Sequence, residues 1–293
     1  MANLSKRVIE NVPGDFFVDA TCIDCDTCRQ IAPSVFGEAA ETAFVRAQPQ
    51  TAADRRHALR ALVSCPTGSI GCRASDDPKA IFDDFPLPVA GDVYYCGFNS
   101  PKSYGGNSYF VRRPGGNWLI DSPKFLPRLV RRLEQLGGVA SIFLTHRDDV
   151  ADAARYARQF AATRFIHRAE LASQPDAERV LEGTAAETLT EGLVAIPTPG
   201  HTRGHMVLLV DNQFLFTGDH LHFDRHRGRL AASEDYCWYS WPRQTVSMRR
   251  LLDYRFEWIL PGHGQAVHLP ASEMRAQLAD LVARMENQAA QPH

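Results

Sequence analysis

The sequence has no long hydrophobic run and no excess of charge of either sign. Its 32 basic and 34 acidic residues leave a formal net charge of −2, and 44% of its 293 residues are hydrophobic. A balanced charge gives no electrostatic basis for binding nucleic acid, and the apolar stretches are too short to span a membrane. We therefore expect a globular protein that binds neither nucleic acid nor a membrane.

An amino-terminal targeting segment is also missing. The opening residues, MANLSKRVIENVPGDFF, contain neither the apolar core of a signal peptide nor a small-residue cleavage site. This predicts a cytoplasmic location, where thiols stay reduced. In that compartment the seven cysteines favour metal ligation over a disulfide framework.

The length of the chain suits two domains of unequal size. Five of the seven cysteines lie in the first 80 residues, and strand and helix patterns alternate after a segment rich in Asp and Pro. We predict a small domain over residues 1–80, an extended linker over 81–92 and an α/β domain over 93–293.

Some elements of the α/β domain can be predicted individually. ASIFLTH has the pattern of a short buried strand, and MVLLVDNQFLFTGDH that of a hairpin turning at Asp211-Asn212. DDVADAARYARQFAA is predicted to be a helix capped by Asp148 or Asp149.

The cysteines near the start follow a specific spacing. Cys22, Cys25 and Cys28 form a C-x2-C-x2-C run, and Cys65 follows with Pro66 directly after it. This spacing is typical of iron–sulfur ligation, whereas zinc sites normally use paired C-x2-C knuckles. The run is not repeated around Cys65, so one [4Fe–4S] cluster is predicted. The first 75 residues or so resemble single-cluster bacterial ferredoxins, which implies a small α+β ferredoxin-like domain.

Four segments of the second domain place imidazoles or carboxylates in loops directly after apolar strands. These segments cover residues 145–149, 199–205, 217–220 and 261–264. Loops at one edge of a sheet converge, so their side chains can meet around one metal centre. Neutral imidazole combined with carboxylate suits zinc, iron or manganese.

In this order and spacing the four segments resemble the metallo-β-lactamase superfamily, and its glyoxalase-II-like branch in particular, over about residues 90 to 270. The resemblance implies an αββα sandwich. It also implies His201, Asp219 and His263 as metal ligands, with Asp219 as the bridge if two metals bind. His146 matches the first ligand of that family's H-x-H-x-D-H loop.

The first loop departs from the family pattern. Asp148 stands where the second histidine is expected, and Val150-Ala151 replaces the Asp-His pair. This exchange of nitrogen for oxygen makes the site harder and more anionic. The predicted metal ligands are His146, Asp148, Asp149, His201, Asp219 and His263. Two further residues are predicted to assist catalysis: Asp152 as an alternative to Asp149 in the second site, and His205 as a group that orients the ligand loop.

Other polar and aromatic residues of this region are given no chemical role. His220, His222 and His226 are expected to be solvated loop residues. The aromatic run over residues 236–242 separates two of the metal motifs and is interpreted as core, or as the wall of a pocket.

Three functions compete. The first is a redox enzyme in which the cluster passes electrons from a donor protein or reductase to a metal centre that acts on a small substrate. Flavodiiron proteins, a related branch, carry a redox iron pair with an acid replacing a histidine ligand. The second is a metal-dependent hydrolase of an ester, thioester or lactam with a structural or sensory cluster. The third is a non-catalytic electron carrier.

We favour the first function, an oxidoreductase, because hydrolysis transfers no electrons and gives no reason to carry a redox cluster. The predicted cofactors are one [4Fe–4S] cluster and one or two iron or zinc ions.

Overall fold

The computed structural model describes residues 2–74 and 79–289, and the chain divides into two compact units. The first unit comprises Met1–Ala140 and Ala151–Ala162. The second comprises Ser141–Val150 and Thr163–His293.

The amino-terminal part of the first unit is built from two short helices and two small sheets. Its elements are β1 (Phe16–Val18), α1 (Thr27–Ile31), β2 (Phe36–Glu38), β3 (Ala43–Val45), α2 (Ala52–Ser64) and β4 (Ile70–Cys72). β1 pairs with β4 and β2 pairs with β3, both in the antiparallel sense. Thr51 caps α2 by accepting a hydrogen bond from the Asp54 N–H, and the helix ends directly before Cys65.

The rest of the first unit is an antiparallel meander with three helices. Its elements are α3 (Lys79–Phe82), β5 (Leu87–Ala90), β6 (Val93–Tyr95), β7 (Tyr109–Val111), β8 (Trp118–Ile120), α4 (Pro127–Gln135) and α5 (Ala153–Phe160). The strands pair in the order β5-β6-β7-β8. The segment predicted as an extended linker therefore holds the end of α3 and the edge strand β5, where Pro88 is tolerated.

The second unit contains a parallel group of strands and a mixed sheet. Its strands are β9 (Ser141–Phe143), β10 (Thr163–His167), β11 (Arg179–Leu181), β12 (Glu187–Thr190), β13 (Leu193–Pro197), β14 (Met206–Val210), β15 (Phe214–Gly218), β16 (His222–Asp224), β17 (Arg229–Ala231), β18 (Trp258–Pro261) and β19 (Val267–His268). β9, β10 and β11 pair in parallel. The mixed sheet has the order β12-β13-β14-β15-β18-β19, and β16 pairs with β17.

Two helices, α6 (Trp241–Arg250) and α7 (Ala271–Ala289), complete the second unit. Their apolar residues and those of the mixed sheet form one buried cluster. The cluster includes Ile196, Val207, Leu209, Leu215, Met248, Ile259, Met274, Leu278, Leu281 and Met285. Replacing one of these leucines with alanine would cost about 2–5 kcal/mol of stability. This core fixes the ends of the strands from which the functional loops emerge.

The hairpin predicted at Asp211-Asn212 is confirmed. Both turn residues have positive φ, +52° and +51°, as a tight two-residue turn between antiparallel β14 and β15 requires.

The predicted cap of α5 is wrong. The helix begins at Ala153 with Asp152 at the N-cap position, while Asp148 and Asp149 belong to a 3-10 turn, Arg147–Asp149.

Sheets combined with helices confirm the α/β class. Over residues 2–74 and 79–289, no helix is both long enough and apolar enough to cross a bilayer.

Candidate metal centre

The second unit brings four strand-end loops together. His146 precedes the 3-10 turn after β9, His201 lies between β13 and β14, Asp219 follows β15 and His263 follows β18. Gly262 allows two of these loops to approach closely, because a Cβ there would lie 2.5 Å from Asp149 Oδ2 and 2.7 Å from Asp219 Oδ1. A glycine is therefore required at this position by the carboxylates beside it.

A first group of donors consists of His146, Asp148 and His201. Asp148 Oδ2 lies 3.8 Å from His146 Nε2 and 3.7 Å from His201 Nε2. Asp219 Oδ2 lies 3.6 Å from both imidazole nitrogens. Ligands of a tetrahedral metal ion with bonds of 2.0–2.2 Å are separated by about 3.4 Å, so four donors surround a space suited to one ion.

A second group of donors shares His146 with the first. His146, Asp149 and Asp219 offer ligand atoms within 4.8 Å of one another. His263 Nε2 lies 4.0 Å from Asp149 Oδ1 and 3.9 Å from Asp219 Oδ2. The Asp219 carboxylate thus faces three imidazoles, each from a different loop.

An atom that binds a metal ion has to be free of competing hydrogen bonds. Among the described residues, His146 Nε2, His201 Nε2 and Asp219 Oδ1 are buried without a hydrogen-bond partner. Thr145 Oγ1 lies 2.9 Å from His146 Nδ1 and holds that ring with Nε2 directed inward. Burying such atoms without a partner is costly, and a bound cation removes the cost.

The electrostatics keep the carboxylates ionised. Burial raises the pKa of Asp219, but His263 and His146 overcome that effect and hold it well below its ordinary value. Interaction with His201 lowers the pKa of Asp148. Both side chains are therefore in the deprotonated form that binds metal at neutral pH.

The first unit gathers the four predicted cluster cysteines around one enclosed cavity. Cys22 Sγ accepts hydrogen bonds from the N–H groups of Asp24 and Ala43, both at 3.4 Å. Cys65 Sγ accepts one from the Ser69 N–H at 3.3 Å. Amide donors aimed at sulfur are what thiolate ligands of an iron–sulfur cluster need.

Burial disfavours the thiolate form of two of these cysteines. Burial raises the pKa of Cys25 to about 11 and that of Cys28 well above its ordinary value. Binding a cation offsets the cost of holding them as thiolates.

Family models match both parts of the chain. A model of the metallo-β-lactamase superfamily matches residues 90–284, and a model of the 4Fe-4S single cluster domain of ferredoxin I matches residues 18–72. The chain belongs to the metallo-β-lactamase superfamily. It carries a ferredoxin-type [4Fe–4S] domain in front of that match.

One curated relative of this metallo-β-lactamase protein is a lactamase-like protein from Pestalotiopsis microspora. The two are 30% identical over an alignment of 189 positions, which covers 61% of this chain and 56% of the relative. The chain therefore spans little more than half the length of that relative.

Solved structures confirm the fold. The metallo-β-lactamase FIM-1 from Pseudomonas aeruginosa, in its mono-zinc form, matches with a TM-score of 0.53 and 18% identity, covering 70% of this chain and 95% of that one. The DIM-1 metallo-β-lactamase matches with a TM-score of 0.52 and 16% identity, covering 69% and 96%. The centre of such a fold, with the donors described above, accommodates one or two metal ions, and the amino-terminal domain holds one cluster.

The two residues predicted to assist catalysis belong to different compact units. His205 is fully buried, with its ring centroid 5.1 Å from that of His146, and Thr198 Oγ1 lies 2.9 Å from its Nδ1. Asp152 lies in the first unit, where Lys102 Nζ and the Phe125 N–H donate to its two oxygens at 2.7 and 2.9 Å. Asp149, rather than Asp152, is the carboxylate that the structure places in the second donor group.

The prediction that His220 is a solvated loop residue is wrong. Its side chain is fully buried, and its ring stacks on His205 with the centroids 5.4 Å apart. In the described part of the chain neither ring nitrogen of His220 has a hydrogen-bond partner, and burial lowers its pKa to about 3. The one available signal was its position directly after Asp219 in a tight turn.

The aromatic run is divided between surface and core. Trp238 is 58% exposed, and its ring centroid lies 6.3 Å from that of His201. Tyr236 and Tyr239 are also exposed, whereas Trp241 is buried in the core of the second unit. Trp238 therefore forms an accessible apolar wall beside the metal centre.

Proposed function

We propose that this protein is a metal-dependent hydrolase whose centre binds two ions bridged by Asp219. One observation carries the proposal: Asp219 Oδ2 lies 3.6, 3.6 and 3.9 Å from the Nε2 atoms of His146, His201 and His263. One carboxylate that serves imidazoles from three loops is suited to holding two cations side by side.

The proposed chemistry divides between the metal ions and the chain. When bound, two divalent ions would supply a nucleophile from water at neutral pH and polarise a carbonyl oxygen. His146, Asp148 and His201 would hold the first ion, and Asp149 and His263 would hold the second together with Asp219. Trp238 gives the apolar part of a small substrate a surface beside His201.

Family membership supports hydrolysis over the oxidoreductase favoured from the sequence. The fungal relative is named lactamase-like, and the two structural neighbours are metallo-β-lactamases, one in a mono-zinc form. We therefore propose esters, thioesters or lactams as substrates.

The redox function remains a second candidate because of one specific observation. The first donor group combines two histidines with one carboxylate, a set typical of non-haem iron. In that case the cluster would deliver electrons from a donor protein or reductase to iron in the centre.

Hydrolysis assays with the full chain distinguish the two candidates. The anaerobically purified protein should hydrolyse a member of an ester, thioester and lactam panel equally well with the cluster oxidised or reduced. Cys25→Ala should lose the cluster and keep this activity. Asp219→Asn should lose the activity, whereas Asp280→Asn, an isosteric change on the exposed face of α7, should not.

The redox candidate predicts the reverse result. No panel member would be hydrolysed, and oxygen, nitric oxide or an organic electrophile would reoxidise the reduced cluster at a rate that falls in His263→Ala. That outcome would refute the hydrolase proposal.

A further inference from the structure

A loop from the metallo-β-lactamase match packs against the cluster ligands. Gly105 lies in the connection between β6 and β7, and its φ is +87°. A Cβ on Gly105 would lie 2.6 Å from Cys25 Cβ, 2.9 Å from Cys25 Sγ and 3.1 Å from Pro66 Cγ. The backbone of this loop is therefore in direct contact with one sulfur ligand of the cluster.

The same loop places a buried amide beside the cluster. Three acceptors lie around Asn99 Nδ2: Gly105 O at 2.7 Å, Thr27 Oγ1 at 3.0 Å and Asn107 Oδ1 at 3.1 Å. The two hydrogens of the amide serve the two nearer acceptors, Gly105 O and Thr27 Oγ1. The Tyr95 hydroxyl donates to Asn99 Oδ1 at 2.8 Å. A backbone carbonyl only accepts hydrogen bonds, so the contact with Gly105 O fixes which end of the amide carries the nitrogen. Asn99 and Thr27 are almost completely buried, at 0% and 1% exposure.

This orientation determines what the Thr27 hydroxyl does. Because Asn99 donates to Thr27 Oγ1, the threonine keeps its own hydrogen for another acceptor. Cys25 Sγ lies 3.3 Å from Thr27 Oγ1, whereas Gly105 O, already an acceptor for Asn99, lies 3.5 Å away. A ligating Cys25 is a thiolate and only accepts, so the chain of bonds runs from Tyr95 through Asn99 and Thr27 to the sulfur.

The groups that face two of the other ligands belong to the ferredoxin-type domain itself. Cys22 and Cys65 accept from the backbone N–H groups of Asp24, Ala43 and Ser69, and the hydroxyl 3.6 Å from Cys65 Sγ is that of Thr67. The hydroxyl that faces Cys25 is instead oriented by Asn99, a residue of the metallo-β-lactamase match.

We propose that Asn99 is a positioning residue that sets the reduction potential of the cluster. By orienting the Thr27 hydroxyl toward Cys25 Sγ, it stabilises the reduced cluster, in which the sulfurs carry more negative charge. Hydrogen bonds to cluster sulfurs are an established determinant of cluster potential. The redox properties of the ferredoxin-type domain thus depend on a residue outside it. This inference rests on the cluster and not on the reaction at the metal centre.

The test is a potentiometric titration of the full chain. The electron paramagnetic resonance signal of the reduced cluster measures the reduced fraction at each potential. Thr27→Val removes the hydroxyl at nearly constant volume, and Asn99→Leu removes the amide that orients it. At the wild-type midpoint, each variant should show about a three- to tenfold lower ratio of reduced to oxidised cluster, the equivalent of one hydrogen bond. Thr27→Ser retains the hydroxyl and should retain the wild-type potential.

A double variant separates positioning from a general effect of mutation. If Asn99 acts through Thr27, the potential of Thr27→Val/Asn99→Leu should equal that of Thr27→Val alone. An unchanged potential in Asn99→Leu, or additive shifts in the double variant, would overturn the proposal. Iron and sulfide analysis shows whether each variant holds a full cluster. If Asn99→Leu does not, Asn99→Ala replaces it, because it removes the same amide donor with a smaller side chain, and an unchanged potential there would equally overturn the proposal.

Discussion

At the scale of single residues, Asp148 decides what kind of first site the centre offers. It occupies the place of a histidine in the family pattern, and its Oδ2 lies within 3.8 Å of two imidazole nitrogens. It is also half-exposed, unlike the buried Asp149. The carboxylate is thus both the most unusual ligand and the one most open to solvent.

Asp148→Asn should therefore weaken metal binding without unfolding the protein. The amide keeps the shape but removes the anionic ligand, so we expect the affinity of the first site to fall at least about tenfold. Competition with a chromophoric chelator measures this affinity. Since Asp148 does not cap α5, no loss of helix stability is expected, and an unchanged affinity would show that Asp148 is not a ligand.

Gly262 provides a second test at the same scale, on the opposite side of Asp219. In Gly262→Ala the new methyl group would displace the carboxylates of Asp149 and Asp219, which lie within 2.7 Å of its position. We expect the second ion to be lost while the fold is retained. Gly115→Ala, whose new methyl would have no heavy atom within 4 Å, is the matched control. Equal metal content in the two variants would contradict the placement of the second ion.

The sequence places all six proposed ligands in loops whose side chains the structure brings together, but it does not predict the burial of His220. Motifs identify ligands because loops after neighbouring strands converge whatever the packing beneath them. The burial of His220 depends on the packing around its turn, where His205 stacks on it and Gln244 donates to its carbonyl oxygen. Packing between segments distant in the chain is not visible in local residue patterns.

At the scale of elements, local turn chemistry predicted the β14–β15 hairpin correctly because Asp211-Asn212 specifies its own turn. The same kind of reasoning gave the wrong N-cap residue for α5. Asp148 and Asp149 are good capping residues, but their side chains lie among the metal donors, and the helix begins later. A ligand role and a capping role use the same residue types, so propensity alone does not distinguish them.

The connection between β10 and β11 offers a prediction about pH. Arg164, in β10, is almost fully buried and donates to Glu178, Gln174 and the carbonyl oxygen of Asp176. The guanidinium lowers the pKa of Glu178 from 4.5 to about 2. The unfolded state therefore binds more protons between these values, and stability contributed by this pair is full above pH 4.5 and is lost as the pH falls toward 2.

Denaturant unfolding at several pH values should show this loss as a difference between variants. Glu178→Gln should lower the unfolding free energy at neutral pH, and its deficit relative to wild type should shrink below pH 4.5. Glu182→Gln removes an exposed pair with Arg168 and should cost less than about 1 kcal/mol. A deficit in Glu178→Gln that is independent of pH would contradict the role given to Arg164.

At the scale of the whole molecule, the sequence predicts the cofactors from a few residues, whereas the extent of the compact units depends on contacts between distant segments. Cysteine spacing and the four strand-end motifs each indicate a site. The domain boundary at residue 80 stays a prediction, and the first compact unit, which reaches Ala140, includes the ferredoxin-type match and the start of the metallo-β-lactamase match. Contacts such as those of Asn99 and Gly105 with Thr27 and Cys25 hold this unit together, and composition does not show them.

The central claim is that Asp219 joins two metal ions in one centre, and metal stoichiometry tests it most directly. Anaerobically purified protein and its Asp219→Asn variant would be analysed for zinc, manganese, iron and acid-labile sulfide, the sulfide giving the iron that belongs to the cluster. We predict about four cluster irons in both proteins and about two further ions per chain in the wild type. Asp219→Asn should lose both further ions, because its carboxylate serves each of them. A wild type with no metal beyond the cluster, or a variant that retains both ions, would contradict the account.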